Sequence, residues 1–325
     1  MLERLLNKIK AKKIIIFILL AFALSAGLYT GIRLASGLWV AHQHRMLYKA
    51  RKAAWHKLEQ RIRAEIIKFK GETGIVVKDL KSGLEFSYKE NKLFPSASLA
   101  KIPVMAACFV AAEQGKIKLD RNITLKSTDK LTGSGVLKDL PVGTAFSVEK
   151  LIGLMIYDSD NTAANIITDL LGIDYLNSAF AGFGLKNTEL SRKIADYKLR
   201  DKGIENYTTA EDMALLLEKI YWGKLGNKHI SDQCINIMKL THTNDRIPRY
   251  LPANIMVAHK TGLENSVCHD AGIVFSRNGD FLICVLTKHT NHNSIPSKKF
   301  IARVSLYTYK FFEQLEEDRP AANNR

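Results

Sequence analysis

Short apolar runs open and close the body of this chain, with longer helical patterns between them. Ile75 to Leu80 and Glu85 to Tyr88 flank the turn Lys81, Ser82, Gly83, as two hairpin strands do. Further on, Ile255 to Thr261, Ala271 to Phe275 and Phe281 to Thr287 predict three more strands. Asn278 and Gly279 predict a two-residue turn between the last two, which sets Cys284 opposite Ile273. The closing run, Pro296 to Glu317, puts Phe300, Val304, Tyr307, Phe311 and Leu315 on one helical stripe that packs on the sheet. Between these ends the period changes to that of helices. Val104 to Gln114, Val148 to Tyr157, Thr162 to Leu171 and Met213 to Tyr221 are the runs, and Gly172 is a stop signal. The pattern predicts an α+β fold: an antiparallel five-stranded sheet with terminal helices and an inserted all-α subdomain.

The N-terminal part follows different rules. Ile14 to Ile32 carries no charged residue and follows Arg4, Lys8, Lys10, Lys12 and Lys13, which is long enough for one helical crossing of a bilayer. A cleaved signal peptide is the rival reading, since Ala23, Leu24 and Ser25 before Ala26 form a small-residue cleavage site. The length of the apolar run favours an uncleaved anchor. The basic residues from Arg33 to Lys52 on its far side dilute the topology signal. Residues 40–70 read as a basic helix with Met46, Leu47, Trp55, Leu58, Ile62 and Ile66 at loose helical intervals. It is either a solvated stalk or a surface for anionic lipid or wall polymer. The expected organisation is a tail at 1–13, a spanning segment at 14–32, a stalk at 33–55 and a folded body at 56–325. Within the body, 56–95 and 246–325 form the sheet part and 96–245 the helical part.

Charge then narrows the function. The net charge is +16, but residues 1–70 hold 15 Lys and Arg against 3 Asp and Glu, so only +4 remains for the rest. Basicity belongs to the N-terminal segment, and a nucleic-acid-binding body is not indicated. With 46% apolar residues the chain has material for a full core. Cys108, Cys234, Cys268 and Cys284 show no metal spacing and read as buried small apolar residues. The pair His289 and His292 reads as surface loop, and no metal or cofactor is expected.

Candidate chemistry centres on Ser98 and Lys101, three apart where a polar loop gives way to an apolar helical run. On a helix that spacing puts both on one face, so the amine can activate the hydroxyl. A helix N-terminus also offers free N–H groups to a developing oxyanion. The same Ser-x-x-Lys pattern occurs at Ser127 and Ser147; Ser147 reads as a helix N-cap and Ser127 as part of a polar connector. What separates Ser98 is order: Ser159-Asp160-Asn161 and then Lys260-Thr261-Gly262 follow it. Pro103 conflicts with a helix that starts near Ser98, since it removes a backbone bond just past the first turn.

That ordered triplet resembles the signature of class A β-lactamases and penicillin-binding proteins. Segments 133–137, 155–165 and 269–274 are similar as well, and the likeness runs from about Leu58 to about Leu315. The resemblance implies the three-layer α/β/α fold of the β-lactamase and transpeptidase type, and no cofactor. It implies that Ser98 attacks an amide carbonyl, that Lys101 takes its proton with its pKa lowered by burial and by Lys260, and that Ser159 relays a proton to the leaving nitrogen. Asn161 would hold the substrate amide and Lys101. Lys260 and Thr261 would hold the carboxylate shared by β-lactams and D-alanyl peptides. Ser98 and Leu263 would give the oxyanion N–H groups, and Gly262 would let substrate lie close to the strand. An extracytoplasmic domain on a single-pass membrane anchor also follows from the resemblance.

The family pattern fails in one place. Class A enzymes carry a glutamate shortly after an arginine matching Arg192, and they use it through a water to hydrolyse the acyl-enzyme. Here the matching positions are Lys193 to Ala195. Asp196 comes a few residues late and Glu189 too early. The readings left open are a β-lactamase that hydrolyses its acyl-enzyme slowly, using Asp196 as the base or an unassisted water, a D,D-peptidase acting on wall stem peptides, and an anchored receptor for β-lactam or wall fragments.

Overall fold

The computed structural model describes residues 1–289 and 293–317, without the side chains of Leu5 and 315–317. Leu315 and the loop position His292 therefore lie outside the described residues. Helix α1 (Leu2–Lys68) supplies all of a first compact unit, Met1–Ala54, and its last part belongs to a second that begins at Trp55. In the first unit every side chain from Ile14 to Ile32 is exposed, and the helix is long and apolar enough to cross a membrane.

In the second unit the chain runs β1 (Glu72–Asp79), β2 (Glu85–Tyr88), β3 (Phe94–Pro95), α2 (Lys101–Glu113), β4 (Asn122–Thr124), β5 (Ala145–Ser147), α3 (Val148–Tyr157), α4 (Asn161–Leu171) and α5 (Ile173–Gly182). It continues through α6 (Tyr197–Asp201), β6 (Tyr207–Thr208), α7 (Ala210–Tyr221), α8 (Lys228–Met238), β7 (Met256–Glu264), β8 (Val267–Phe275), β9 (Phe281–Lys288) and α9 (Ile295–Glu317). Five strands pair antiparallel in the order β2-β1-β9-β8-β7. The sheet therefore closes by bringing the C-terminal hairpin between the first strand and β7, and β7 is left at one edge.

Both faces of the sheet are covered, which is why its central strands read as continuous apolar runs. Val76, Ala258, Ala271, Ile273 and Leu282 pack into the core shared with α2, α3 and α7. Phe281 lies on the other face, stacked on Phe312 of α9 with ring centroids 5.2 Å apart. The end of α1 joins this layer: Trp55, Leu58 and Ile62 are buried, Trp55 meets Phe311 edge-on at 5.1 Å, and Glu65 accepts from Arg303 Nε at 2.6 Å. The α+β architecture with an all-α insertion is the one expected.

Two local expectations need correction. Cys284 pairs with Ala271, not Ile273, because the hairpin loop is longer than two residues. A type I′ turn requires positive φ at both central residues, but only Gly279 has it, at 141°; Asp280 instead accepts the Ser276 N–H at 3.2 Å and lengthens the loop. The shift is even, so the sheet faces are unchanged. Among the described residues all four cysteines are free and buried. The second correction is at Pro103. Helix α2 starts at Lys101, so Pro103 falls in its first turn, where backbone N–H groups have no intrahelical partner anyway.

Helix starts follow side-chain chemistry. Ser147 accepts the Lys150 N–H at 3.1 Å, Asp160 that of Ala163 at 2.9 Å and Thr209 that of Asp212 at 3.1 Å, capping α3, α4 and α7. Ser147 is a cap, as its position before an apolar run predicts.

Candidate active site

Ser98 lies in a 3-10 turn, Ala97–Ala100, between β3 and α2. In a 3-10 turn residues three apart eclipse, so Ser98 and Lys101 stand on one side more directly than α-helical spacing would place them. The turn is entered through Ala97 at φ 44°, a left-handed conformation that costs a non-glycine residue about 1–3 kcal/mol and persists only where its surroundings impose it. Those surroundings are visible. Ser96 N–H bonds the carbonyl of Asn206 at 2.8 Å, and His269 Nε2–H donates to the Pro95 carbonyl at 2.9 Å. His269 accepts the Thr287 N–H on Nδ1 at 3.1 Å, so the ring is held neutral between two strands. Burial pushes its pKa down to about 4.

Lys101 is fully buried, and its amine meets the carbonyl of Ser159 at 2.6 Å, Asn161 Oδ1 at 2.8 Å and Ser159 Oγ at 3.3 Å. Lys260, also fully buried, donates to the same Ser159 hydroxyl at 3.0 Å and to the Thr261 carbonyl at 2.8 Å. Among the described residues no carboxylate bonds to either amine. Burial first and the charge of Lys260 second hold Lys101 well below the usual lysine range. Burial, with the nearby guanidinium of Arg246, lowers Lys260 to about 7. The shift favours the neutral amine at Lys101, the form that proton abstraction from a serine requires.

The Ser159 loop is built to stay in place. Ser159 has φ 54°, and the carboxylate of Asp160 behind it accepts from Val136 N at 2.7 Å and Leu137 N at 2.8 Å besides capping α4. Gly135, at φ 113°, passes so close that a Cβ there would stand 2.2 Å from Asp160 Cγ, so only glycine fits. Asp160 thus positions the loop, while Asn161 turns its side chain to Lys101.

Strand β7 forms the facing wall. A Cβ on Gly262 would stand 3.4 Å from that of Ala97, so the strand lies directly against the turn that carries Ser98. Lys260 precedes this contact, and Leu263 and Glu264 follow it. The three motifs are thereby brought together: Lys101, Ser159, Asn161, Lys260 and Thr261 through hydrogen bonds, and Gly262, followed by Leu263, against the turn that carries Ser98. Ser127 and Ser147 are elsewhere, in a short 3-10 turn and at the α3 cap.

The loop before β6 is held by its own contacts. Buried Arg192 pairs with Glu205, and Asn206 Oδ1 accepts the N–H groups of Ser191 and Arg192 at 2.8 and 3.0 Å. Lys193 reaches out to Asp169, Ile194 is buried in the core, and Ala195 takes φ 64°. Asp196 accepts the Leu199 N–H at 3.1 Å and so caps α6. Two residues of the site were not foreseen. Arg246 is fully buried, donates to Cys268 Sγ at 3.1 Å and helps depress Lys260; Glu264 is a half-buried carboxylate at the end of β7. Neither stands in a recognisable motif; both are sites of tertiary contact. No group of side chains suited to a metal ion occurs among the described residues.

Comparison with known proteins agrees with this geometry. The model of the β-lactamase enzyme family matches residues 57–312. The β-lactamase VEB-1 of Pseudomonas aeruginosa is 27% identical, over 67% of this chain and 78% of its own length. A crystal structure of a β-lactamase from Sphaerobacter thermophilus superposes with a TM-score of 0.73 at 27% identity, covering 80% of this chain and 98% of that one. PBP-A, solved as a mutant in acyl-enzyme complex with penicillin-G, superposes with a TM-score of 0.73 at 30% identity, covering 80% and 97%. With its Ser98 turn, paired lysines and edge strand, the chain belongs to the β-lactamase enzyme family and is a serine hydrolase of the class A type.

Proposed function

We propose that the protein opens β-lactam amides through an acyl-enzyme on Ser98 and releases that acyl group slowly. The observation that carries this is the meeting of two buried, pKa-lowered lysines at one hydroxyl, Ser159, beside the Ser98 turn. In the first half-reaction Lys101, as the free amine, takes the Ser98 proton and Oγ attacks the amide carbonyl carbon. Oxyanion charge goes to the N–H groups of Ser98 and Leu263. The C–N bond breaks as Ser159 passes a proton to the nitrogen, and Lys260 recharges Ser159. Thr261 and Lys260 hold the substrate carboxylate, as they would that of a D-alanyl peptide, and Asn161 the amide side chain.

The second half-reaction has no loop carboxylate to serve it, because Lys193, Ile194 and Ala195 occupy the segment that carries the glutamate in class A enzymes. We place the catalytic body outside the cytoplasm, tethered by the single apolar helix over Ile14 to Ile32, with the basic stalk towards anionic lipid or wall polymer. Mass spectrometry of protein treated with penicillin tests the nucleophile: one adduct on the peptide containing Ser98 is expected, and an adduct elsewhere refutes it.

A further inference from the structure

We propose that Glu264 is the general base that deacylates Ser98, supplied from the strand in place of the loop. The inference rests on the acyl-enzyme reading above and adds to it the missing proton acceptor.

Placement is the first argument. Side chains two apart on a strand share a face, so Lys260, Gly262 and Glu264 line the same side of β7. Gly262 abuts the residue before Ser98, and Lys260 reaches from one side of that contact to Ser159, where the leaving nitrogen is protonated. Glu264 lies on the other side, one residue beyond Leu263 and roughly 7 Å along the strand from Gly262. Strand β7 thus carries an ionisable group on each side of its contact with the Ser98 turn.

The setting is the second. Glu264 lines a cavity of about 450 Å³ with Tyr197, Arg200 and Leu263, ample room for the attacking water beside an oxyanion donor. Its nearest cation, Arg200 Nη1, is 3.8 Å away, beyond hydrogen-bond reach, and Arg200 already bonds Asp201 and lies over the Tyr197 ring at 4.5 Å. The carboxylate is thus oriented but not consumed by its neighbour. The charged groups around it are Glu205, Arg192, Arg200 and Lys101; burial, then Glu205, raise its pKa, which makes it a stronger proton acceptor. Asp196, by contrast, spends its carboxylate on the α6 cap.

The step balances without a co-reactant. Water adds to the ester carbonyl carbon as Glu264 takes one of its protons. The tetrahedral intermediate then expels Ser98 Oγ, which recovers from Lys101 the proton it lost; Glu264 releases its proton to solvent and Lys260, which recharged Ser159, takes one back, leaving the free acid and the original enzyme.

The test is the lifetime of the penicillin adduct on full-length protein, followed by intact mass. Glu264→Gln should lengthen it by at least about tenfold, the scale of general-base assistance, and remove its dependence on pH. In wild type the release should slow as pH falls and Glu264 takes up a proton. Glu264→Asp should fall between the two, which a merely structural ion pair to Arg200 would not produce, and Asp196→Asn should stay within about twofold of wild type. Adduct that forms on Glu264→Gln but leaves at the wild-type rate overturns this assignment alone. Wild-type protein that forms no adduct overturns the acyl-enzyme reading beneath it.

Discussion

Lys101 and Lys260 both donate to the hydroxyl of Ser159, at 3.3 and 3.0 Å, from fully buried positions. Two cations so placed raise each other's cost of ionisation, and among the described residues neither has a carboxylate bonded to it. The consequence is a Lys101 amine biased towards its neutral form, and Lys260→Met tests it. Removing that charge should raise the pKa of Lys101 and slow acylation at pH 7 by on the order of tenfold or more, with recovery at higher pH. An acylation profile that does not move towards alkaline pH would show that Lys260 does no electrostatic work on the base.

Ser98 is distinguished from its two look-alikes by position alone. Ser98→Ala should abolish labelling by a fluorescent penicillin, whereas Ser127→Ala and Ser147→Ala should keep it. Ser147→Ala should cost about 1 kcal/mol of stability through loss of the α3 cap, read from denaturant unfolding. Labelling of the Ser98→Ala protein would refute the nucleophile.

His269 makes a pH prediction for stability. Its pKa is about 4 in the fold against 6.5 when exposed, so below 6.5 the unfolded chain takes a proton that the folded chain refuses. Stability from this group is complete above pH 6.5 and is lost as pH falls to about 4, a difference of about 3 kcal/mol. His269→Gln should flatten that part of the acid limb. An unchanged limb would show that the ring is not held neutral.

Full-length protein should remain with membranes after carbonate extraction, and protease added outside the cytoplasm should reach the body. Soluble protein beginning near Ala26 would instead establish signal cleavage.

The sheet, most helices and the convergence of Ser98 with its motif partners were legible because each depends on local signals: strand alternation, caps such as Ser147 and Thr209, and motif order. What escaped is non-local. The β8–β9 register depends on Asp280 reaching back to Ser276, which outweighs the Asn-Gly signal. Helices α5 and α8 were missed: the first restarts directly after the Gly172 stop, and the second buries only Ile230, Ser231, Cys234 and Met238 among many polar residues. Glu264 looks like an ordinary strand-end glutamate until β7 is laid against the Ser98 turn. Arg246 likewise gives no sign in sequence that it sits buried beside Lys260.

The central claim is that acylation at Ser98 is intact while hydrolysis lacks its loop base. Rapid mixing with a chromogenic cephalosporin, with intact mass taken in parallel, tests it most directly. A burst of one equivalent with a covalent adduct is expected, followed by steady turnover at least about tenfold slower than acylation, because a strand carboxylate replaces the loop base only in part. Rapid linear hydrolysis from the first turnover, with no adduct detected, would contradict the account.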